Sequence, residues 1–155
     1  MTARSSILSS AAYDMKDKVL VIDDEYQVRS LLRRVLQRLG HDVVEAEDGD
    51  GVTHLIQHER PALVLLDLRM PKTDGIAALD AIRASDSSVA VIVVTGDGEW
   101  ERVKAAMEHG ASEYITKPLD LQDLELSITS HLERRRARHK PSSDPNARPG
   151  EHEQG

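Results

Sequence analysis

Five short apolar runs punctuate the chain, and each stops at a polar residue. Residues 19–22 read VLVI and end at Asp23-Asp24-Glu25, and residues 62–66 end at Asp67. Residues 89–94 end at Thr95-Gly96, and Glu113–Thr116 ends at Lys117-Pro118. The fifth, 43–46, is brief and leads towards Asp48-Gly49. Unbroken Val/Ile/Leu runs of this length predict strands covered on both faces, as in parallel sheets. The stretches between them change period. Val28, Leu31, Leu32, Val35, Leu36 and Leu39 recur at i, i+3, i+4 until Gly40 stops them. Val52, Leu55 and Ile56 give a weaker helix that ends before Pro61, and Ile76, Leu79 and Ile82 give a third. Trp100, Val103, Ala106 and Met107 share one face of a fourth helix, stopped at Gly110, with Trp100 expected to close the edge of the core. Asp120 is a plausible N-cap for a fifth, whose inner face is Leu121, Leu124, Ile128 and Leu132. Strict βα alternation with short connections predicts a parallel sheet with helices on both faces.

Composition narrows this picture. The 155 residues suffice for one domain with a sizeable core. The absence of cysteine excludes disulfides and thiolate metal sites. No apolar run approaches a transmembrane length or a secretory core, so a cytoplasmic protein with no membrane partner is expected. Residues 18–132 hold 12 Lys/Arg against 21 Asp/Glu, a poor surface for general nucleic-acid binding. Residues 1–17 are Ser/Ala-rich and expected to be a disordered lead-in, with Met15 a plausible true start. The expected domain is 18–135, followed by a basic and then Pro-rich disordered tail over 136–155. The basic cluster 134–140 is expected to finish helix five, where it suits the negative end of the dipole.

Strand ends on one side of a parallel sheet share a rim. That rim would carry Asp23, Asp24, Asp67, Thr95 and Lys117. Neighbouring carboxylates raise one another's pKa, and a divalent cation relieves them. Mg²⁺, or Mn²⁺, suits an all-oxygen site with a few carboxylates, waters and a phosphate. Lys117 adds a mobile positive charge and Thr95 a hydroxyl donor. These are parts for phosphoryl transfer, with Asp67 as a nucleophile forming an aspartyl phosphate.

VLVIDDE, LVLLDLRMPKTDG, VIVVTG and GASEYITKP, in this order and spacing, resemble the receiver domain of two-component response regulators over about residues 18–132. The resemblance implies a flavodoxin-like, doubly wound three-layer α/β sandwich of sheet order 2-1-3-4-5. It implies that Asp67 accepts phosphate from a phosphohistidine on a sensor kinase or a histidine phosphotransfer protein. Asp24 would bind the metal directly, Asp23 mostly through water, and the backbone carbonyl of Arg69 would be another ligand beside Asp67. Lys117 and Thr95 would contact the phosphoryl group, Thr95 and Tyr114 would form the switch pair, and Lys117-Pro118 would be cis. Helix four, strand five and helix five would be the readout surface for an unidentified downstream protein or a phosphorylation-dependent homodimer. Arg69 and Gly96 occupy positions that influence phosphoryl lifetime in that family. Gly96 leaves the site open, while Arg69 either shields the phosphoryl group or extends into solvent.

Other features have plainer readings beside functional ones. Arg29, Arg33, Arg34 and Arg38 make one face of helix one basic. This is either a solvated face with a Glu25–Arg29 pair or a docking surface for an acidic phosphotransfer partner. His54 and His58 share metal-ligand spacing but lack a third ligand, which favours unliganded surface histidines. Among whole-protein functions, a single-domain receiver, acting as a binding switch or relay intermediate, competes with the receiver of a DNA-binding regulator whose output domain is missing. A haloacid-dehalogenase-like phosphohydrolase would need its nucleophile in a DxD at the first strand, where this chain has DDE. A phosphate-independent pseudo-receiver would not need the five polar strand-end residues, all of which are intact.

Overall fold

The computed structural model describes residues 16–96 and 98–139. The expected lead-in up to residue 15 and the Pro-rich tail from residue 140 lie outside the described residues. The strands are β1 (Lys18–Ile22), β2 (Asp42–Ala46), β3 (Leu63–Asp67), β4 (Ala90–Thr95) and β5 (Glu113–Thr116). The helices are α1 (Tyr26–Arg38), α2 (Val52–Glu59), α3 (Gly75–Ser85), α4 (Trp100–Glu108) and α5 (Leu121–His139). They alternate without exception. All strand pairs are parallel, in the order β2-β1-β3-β4-β5.

Alternate residues of the central strands feed two separate cores. Leu20, Ile22, Val64, Leu66, Val91 and Val93 pack with α2, α3 and α4 through Val52, Ile56, Leu79, Ile82, Val103 and Ala106. Val19, Val21, Leu63, Leu65 and Ile92 pack with α1 and α5 through Leu32, Leu36, Leu124, Ile128 and Leu132. The strands read as continuous apolar runs because both faces are covered. The edge strands differ: β2 is only partly buried apart from its exposed first residue, and β5 alternates partly buried and exposed.

Three expectations about faces need correction. Trp100 does not close the core edge; it is 61% exposed. It opens α4, and the buried stripe of that helix runs through Val103 and Ala106. Met107 lies about 100° round the helix from Ala106 and about 40° from Val103, at the outer margin of that stripe, and is exposed. Leu121 opens α5 and is partly exposed, so the inner face starts at Leu124. At the ends, α5 runs through the basic cluster as far as His139, as expected. Asp17, expected in the lead-in, accepts from the Asp42 N–H at 3.0 Å and pairs through its carboxylate with Arg136 of α5. Among the described residues, no helix is long and apolar enough to cross a membrane.

Candidate functional site: an acidic pocket at the strand ends

Register brings the polar strand ends together. Ile22 pairs with Leu66, so Asp23 follows its strand beside Asp67. Asp67 pairs with Val94, which sets Thr95 one step further along the same rim. Thr95 pairs with Thr116, so Lys117 leaves β5 beside it, and the Lys117 N–H donates to the Thr95 carbonyl at 2.7 Å. The Lys117–Pro118 peptide is cis.

The side chains converge. Lys117 Nζ lies 3.1 Å from Glu25 Oε1, 3.5 Å from Asp23 Oδ2 and 3.7 Å from Asp67 Oδ2. Asp23, Asp67 and Thr95 are buried, whereas Asp24 and Glu25 are exposed. Asp23 Oδ1 accepts from the Glu25 N–H at 2.9 Å, and Asp67 Oδ1 accepts from the Arg69 N–H at 3.0 Å. Each carboxylate therefore keeps its Oδ2 for the pocket. Arg29 Nη1 donates to the Asp23 carbonyl at 2.7 Å and so fixes the β1–α1 turn.

The electrostatics follow from burial. Desolvation pushes the Asp67 carboxyl up to about 6, helped by the Asp23 and Asp24 carboxylates and opposed by the Arg69 N–H and Lys117. Asp23 is raised for the same first reason, against the Glu25 N–H and Lys117. Burial alone would lower Lys117, but the Asp23, Asp67 and Glu25 carboxylates together outweigh it and hold the ammonium above its ordinary value.

The donor set fits a hard divalent cation. Asp23 Oδ2 is buried and takes no hydrogen bond. One carboxylate oxygen from each of Asp23, Asp24, Glu25 and Asp67 lies within 4.8 Å of the others. Such an all-oxygen group suits Mg²⁺ or Mn²⁺. His54 and His58 are not in it; their rings stack at 5.3 Å on the exposed face of α2.

Thr95 Oγ1 is buried without a hydrogen bond. Next to it, a Cβ on Gly96 would meet nothing within 4 Å. Tyr114 is 40% exposed and lies edge-on to Trp100, with ring centroids 6.2 Å apart.

Several of the participants were not legible as such in the sequence. Glu25 is Lys117's shortest ion contact, yet it read as a strand-end carboxylate and a helix pair for Arg29, with no link to Lys117. Arg29 pairs instead with Glu45 of β2, as does Arg33, while Arg38 pairs with Glu125 of α5. The basic face of α1 is thus largely tied into the fold. Arg69 neither covers Asp67 nor runs free: its Nη1 donates to Glu99 Oε2 at 3.1 Å. Glu99 and Arg102 form an i,i+3 pair at the start of α4, but their contacts with Arg69 and the Leu68 carbonyl join two loops and carried no signal.

Residues 19–129 match the family model described as response regulator receiver domain. The chain is 33% identical over 118 residues to sporulation initiation phosphotransferase F of Bacillus subtilis, across 76% of this chain and 95% of that protein. It is 40% identical over 119 residues to the probable transcriptional regulator ycf27 of Porphyridium aerugineum, across 77% of this chain but 49% of that one. The solved receiver domain of NtrX from Brucella abortus superposes with a TM-score of 0.71 at 33% identity, over 74% of this chain and 98% of that one. With an alternating βα sheet of order 2-1-3-4-5 and a pocket of acids at its strand ends, the chain belongs to the response regulator receiver domain family.

Proposed function

We propose that this receiver takes a phosphoryl group onto Asp67 from a phosphohistidine donor and uses it to switch a protein-binding surface. The observation that carries the reading is the single ammonium of Lys117 lying within 4 Å of both Asp23 and Asp67, two buried carboxylates. Asp67 Oδ2 attacks phosphorus, the phosphorus–nitrogen bond to the donor imidazole breaks, and the imidazole leaves with the electron pair. The Arg69 N–H steadies the other carboxylate oxygen, so Oδ2 keeps one direction of approach. Lys117 exchanges part of its carboxylate pairing for the phosphoryl oxygens, and the Thr95 hydroxyl turns to donate to one of them. The carboxylates of Asp23, Asp24 and Asp67 and the backbone carbonyl of Arg69 would hold a Mg²⁺ or Mn²⁺ ion. When bound, that ion neutralises charge on the acceptor and on the transferring oxygens.

The donor would be a sensor histidine kinase or a histidine phosphotransfer protein. The output would pass through α4, β5 and α5, with Thr95 and Tyr114 as the switch pair, to a downstream protein or a second copy of the chain. The protein acts as a phosphoacceptor in signalling, promoting its own phosphorylation and dephosphorylation. A relay role is supported by similarity along nearly the whole of a Bacillus phosphotransferase. The second reading, a receiver that serves a DNA-binding output, is favoured by one fact: the chain spans about half the length of the transcriptional regulators it matches.

Intact-mass measurement after incubation with phosphoramidate tests the site. One phosphoryl adduct is expected with Mg²⁺ and none in EDTA. Asp67→Asn should abolish it, and Lys117→Ala should slow it while leaving Mg²⁺ affinity equal or higher, because a competing cation is gone. An adduct on Asp67→Asn would refute the assignment.

A further inference from the structure

We propose that Glu99 is a positioning residue for the chemistry at Asp67: it holds the Arg69 guanidinium beside the pocket, and a phosphoryl group on Asp67 takes that guanidinium over. The inference rests on the reading of Asp67 as the phosphoacceptor. Glu99 sits just before α4, and its side chain is only 10% exposed. Arg69 Nη1 donates to its Oε2 at 3.1 Å, and Arg102 Nε lies 3.5 Å from its Oε1, which takes no hydrogen bond. Arg102 also donates from Nη1 to the Leu68 carbonyl at 3.0 Å. The first turn of α4 is thereby clamped to the loop that carries the acceptor.

The two arginines are not equivalent. Arg102 is held at both ends of the clamp. Arg69 is 74% exposed and has Glu99 as its side-chain partner, while its backbone N–H already donates to Asp67. Its guanidinium therefore swings from a point anchored at the acceptor. A phosphoryl group carries nearly two negative charges and three acceptor oxygens, against one charge that Glu99 shares between two cations. Guanidinium prefers the phosphoryl group, with which it forms paired hydrogen bonds. The exchange leaves no orphan, because Arg102 still neutralises the largely buried Glu99 side chain.

On the phosphoryl oxygens, the Arg69 guanidinium fills one side of the phosphorus. Hydrolysis needs a water there: its oxygen bonds to phosphorus, the phosphorus–oxygen bond to Asp67 breaks, and the carboxylate leaves with the electron pair as the water's proton passes to solvent. Arg69 obstructs that approach. Glu99, by competing for Arg69, sets how long the acyl phosphate lasts.

The test is the half-life of the acyl phosphate formed with acetyl phosphate and Mg²⁺, in wild type, Glu99→Gln, Arg69→Ala and the double variant. Glu99→Gln keeps the shape and an acceptor for Arg102, so it should lengthen the half-life several-fold. Arg69→Ala, an exposed change, should shorten it, and the double variant should match Arg69→Ala alone. A purely structural role for Glu99 would act equally in both Arg69 backgrounds and would overturn the proposal. So would an unchanged half-life in Glu99→Gln or in Arg69→Ala. A wild type that forms no acyl phosphate overturns the phosphoacceptor reading and this inference with it. A labelled wild type with an indifferent Glu99 overturns this inference alone.

Discussion

Asp67 is held in a place that disfavours its own charge. Its burial raises the carboxyl from an ordinary 3.8 to about 6. Each tenfold change in proton affinity is worth about 1.4 kcal/mol, so ionised Asp67 costs the metal-free fold up to ~3 kcal/mol. A folded-state pKa above the unfolded one means that this penalty is absent below pH 3.8 and complete once pH has risen past about 6. Asp67→Asn should therefore stabilise the metal-free protein at pH 8 by about 1–3 kcal/mol, with the gain fading as pH falls through that window. Chemical denaturation of the two proteins across pH, in EDTA, measures it. A gain that persists unchanged at pH 4 would contradict the electrostatic cause. At this scale, Asp23, Asp24, Asp67, Thr95 and Lys117 were legible because each ends an apolar run, and a parallel sheet gathers such ends on one rim. The contacts of Glu25 with Lys117, of Glu99 with Arg69 and of Arg102 with the Leu68 carbonyl were not, since these partners are chosen by side-chain reach across loops, and sequence spacing carries no record of that.

The element that sets the geometry is the turn between β3 and α3. Asp74 caps α3 by accepting from the Ile76 N–H at 3.0 Å, and Thr73 Oγ1 accepts from the Gly49 N–H at 3.0 Å, tying this turn to the one after β2. Gly75 lies against the backbone of Leu68: a Cβ there would come within 2.5 Å of the Leu68 Cα and carbonyl oxygen. Backbone cannot yield as a flexible side chain does, so Gly75→Ala must push the acceptor turn outward. We expect a loss of about 1–3 kcal/mol in stability, the usual cost of overpacking, with slower labelling of Asp67. Asp74→Ala should cost about 1 kcal/mol, as for other lost caps, and leave labelling closer to normal. Equal labelling in Gly75→Ala and wild type would show that the close approach does not set the site. The strands and the inner faces of α1 and α3 were readable because both their period and their burial are regular. The first turns of α4 and α5 misled because Trp100 and Leu121 keep the apolar spacing where the helix has not yet reached the core.

Across the whole molecule, the pocket lies at one end of a sheet whose central strands are buried on both sides, while its β5 edge is partly exposed. Tyr114 and Trp100 meet edge-on on that side, both exposed. A phosphoryl group that draws Thr95 towards itself vacates space beside β5, and an inward move of Tyr114 would separate the two rings. Trp100 is the chain's only tryptophan. Its fluorescence should change with beryllofluoride and Mg²⁺, with a blunted response in Thr95→Ala and none in Asp67→Asn. A full response in Thr95→Ala would remove Thr95 from the switch. The sheet order was legible through the family resemblance. The outward pose of Trp100 was not, because an aromatic residue at helical spacing reads as core until the edge of the sheet is known.

Every step of this mechanism begins with an acyl phosphate on one residue, and borohydride reduction reads that residue directly. The reagent converts a phosphorylated aspartate to homoserine, which peptide sequencing by mass spectrometry then locates. After phosphorylation with Mg²⁺, homoserine should appear at position 67 and at no other aspartate. Homoserine at position 23 or 24, or its absence from a protein that carries the phosphoryl mass, would contradict Asp67 as the acceptor.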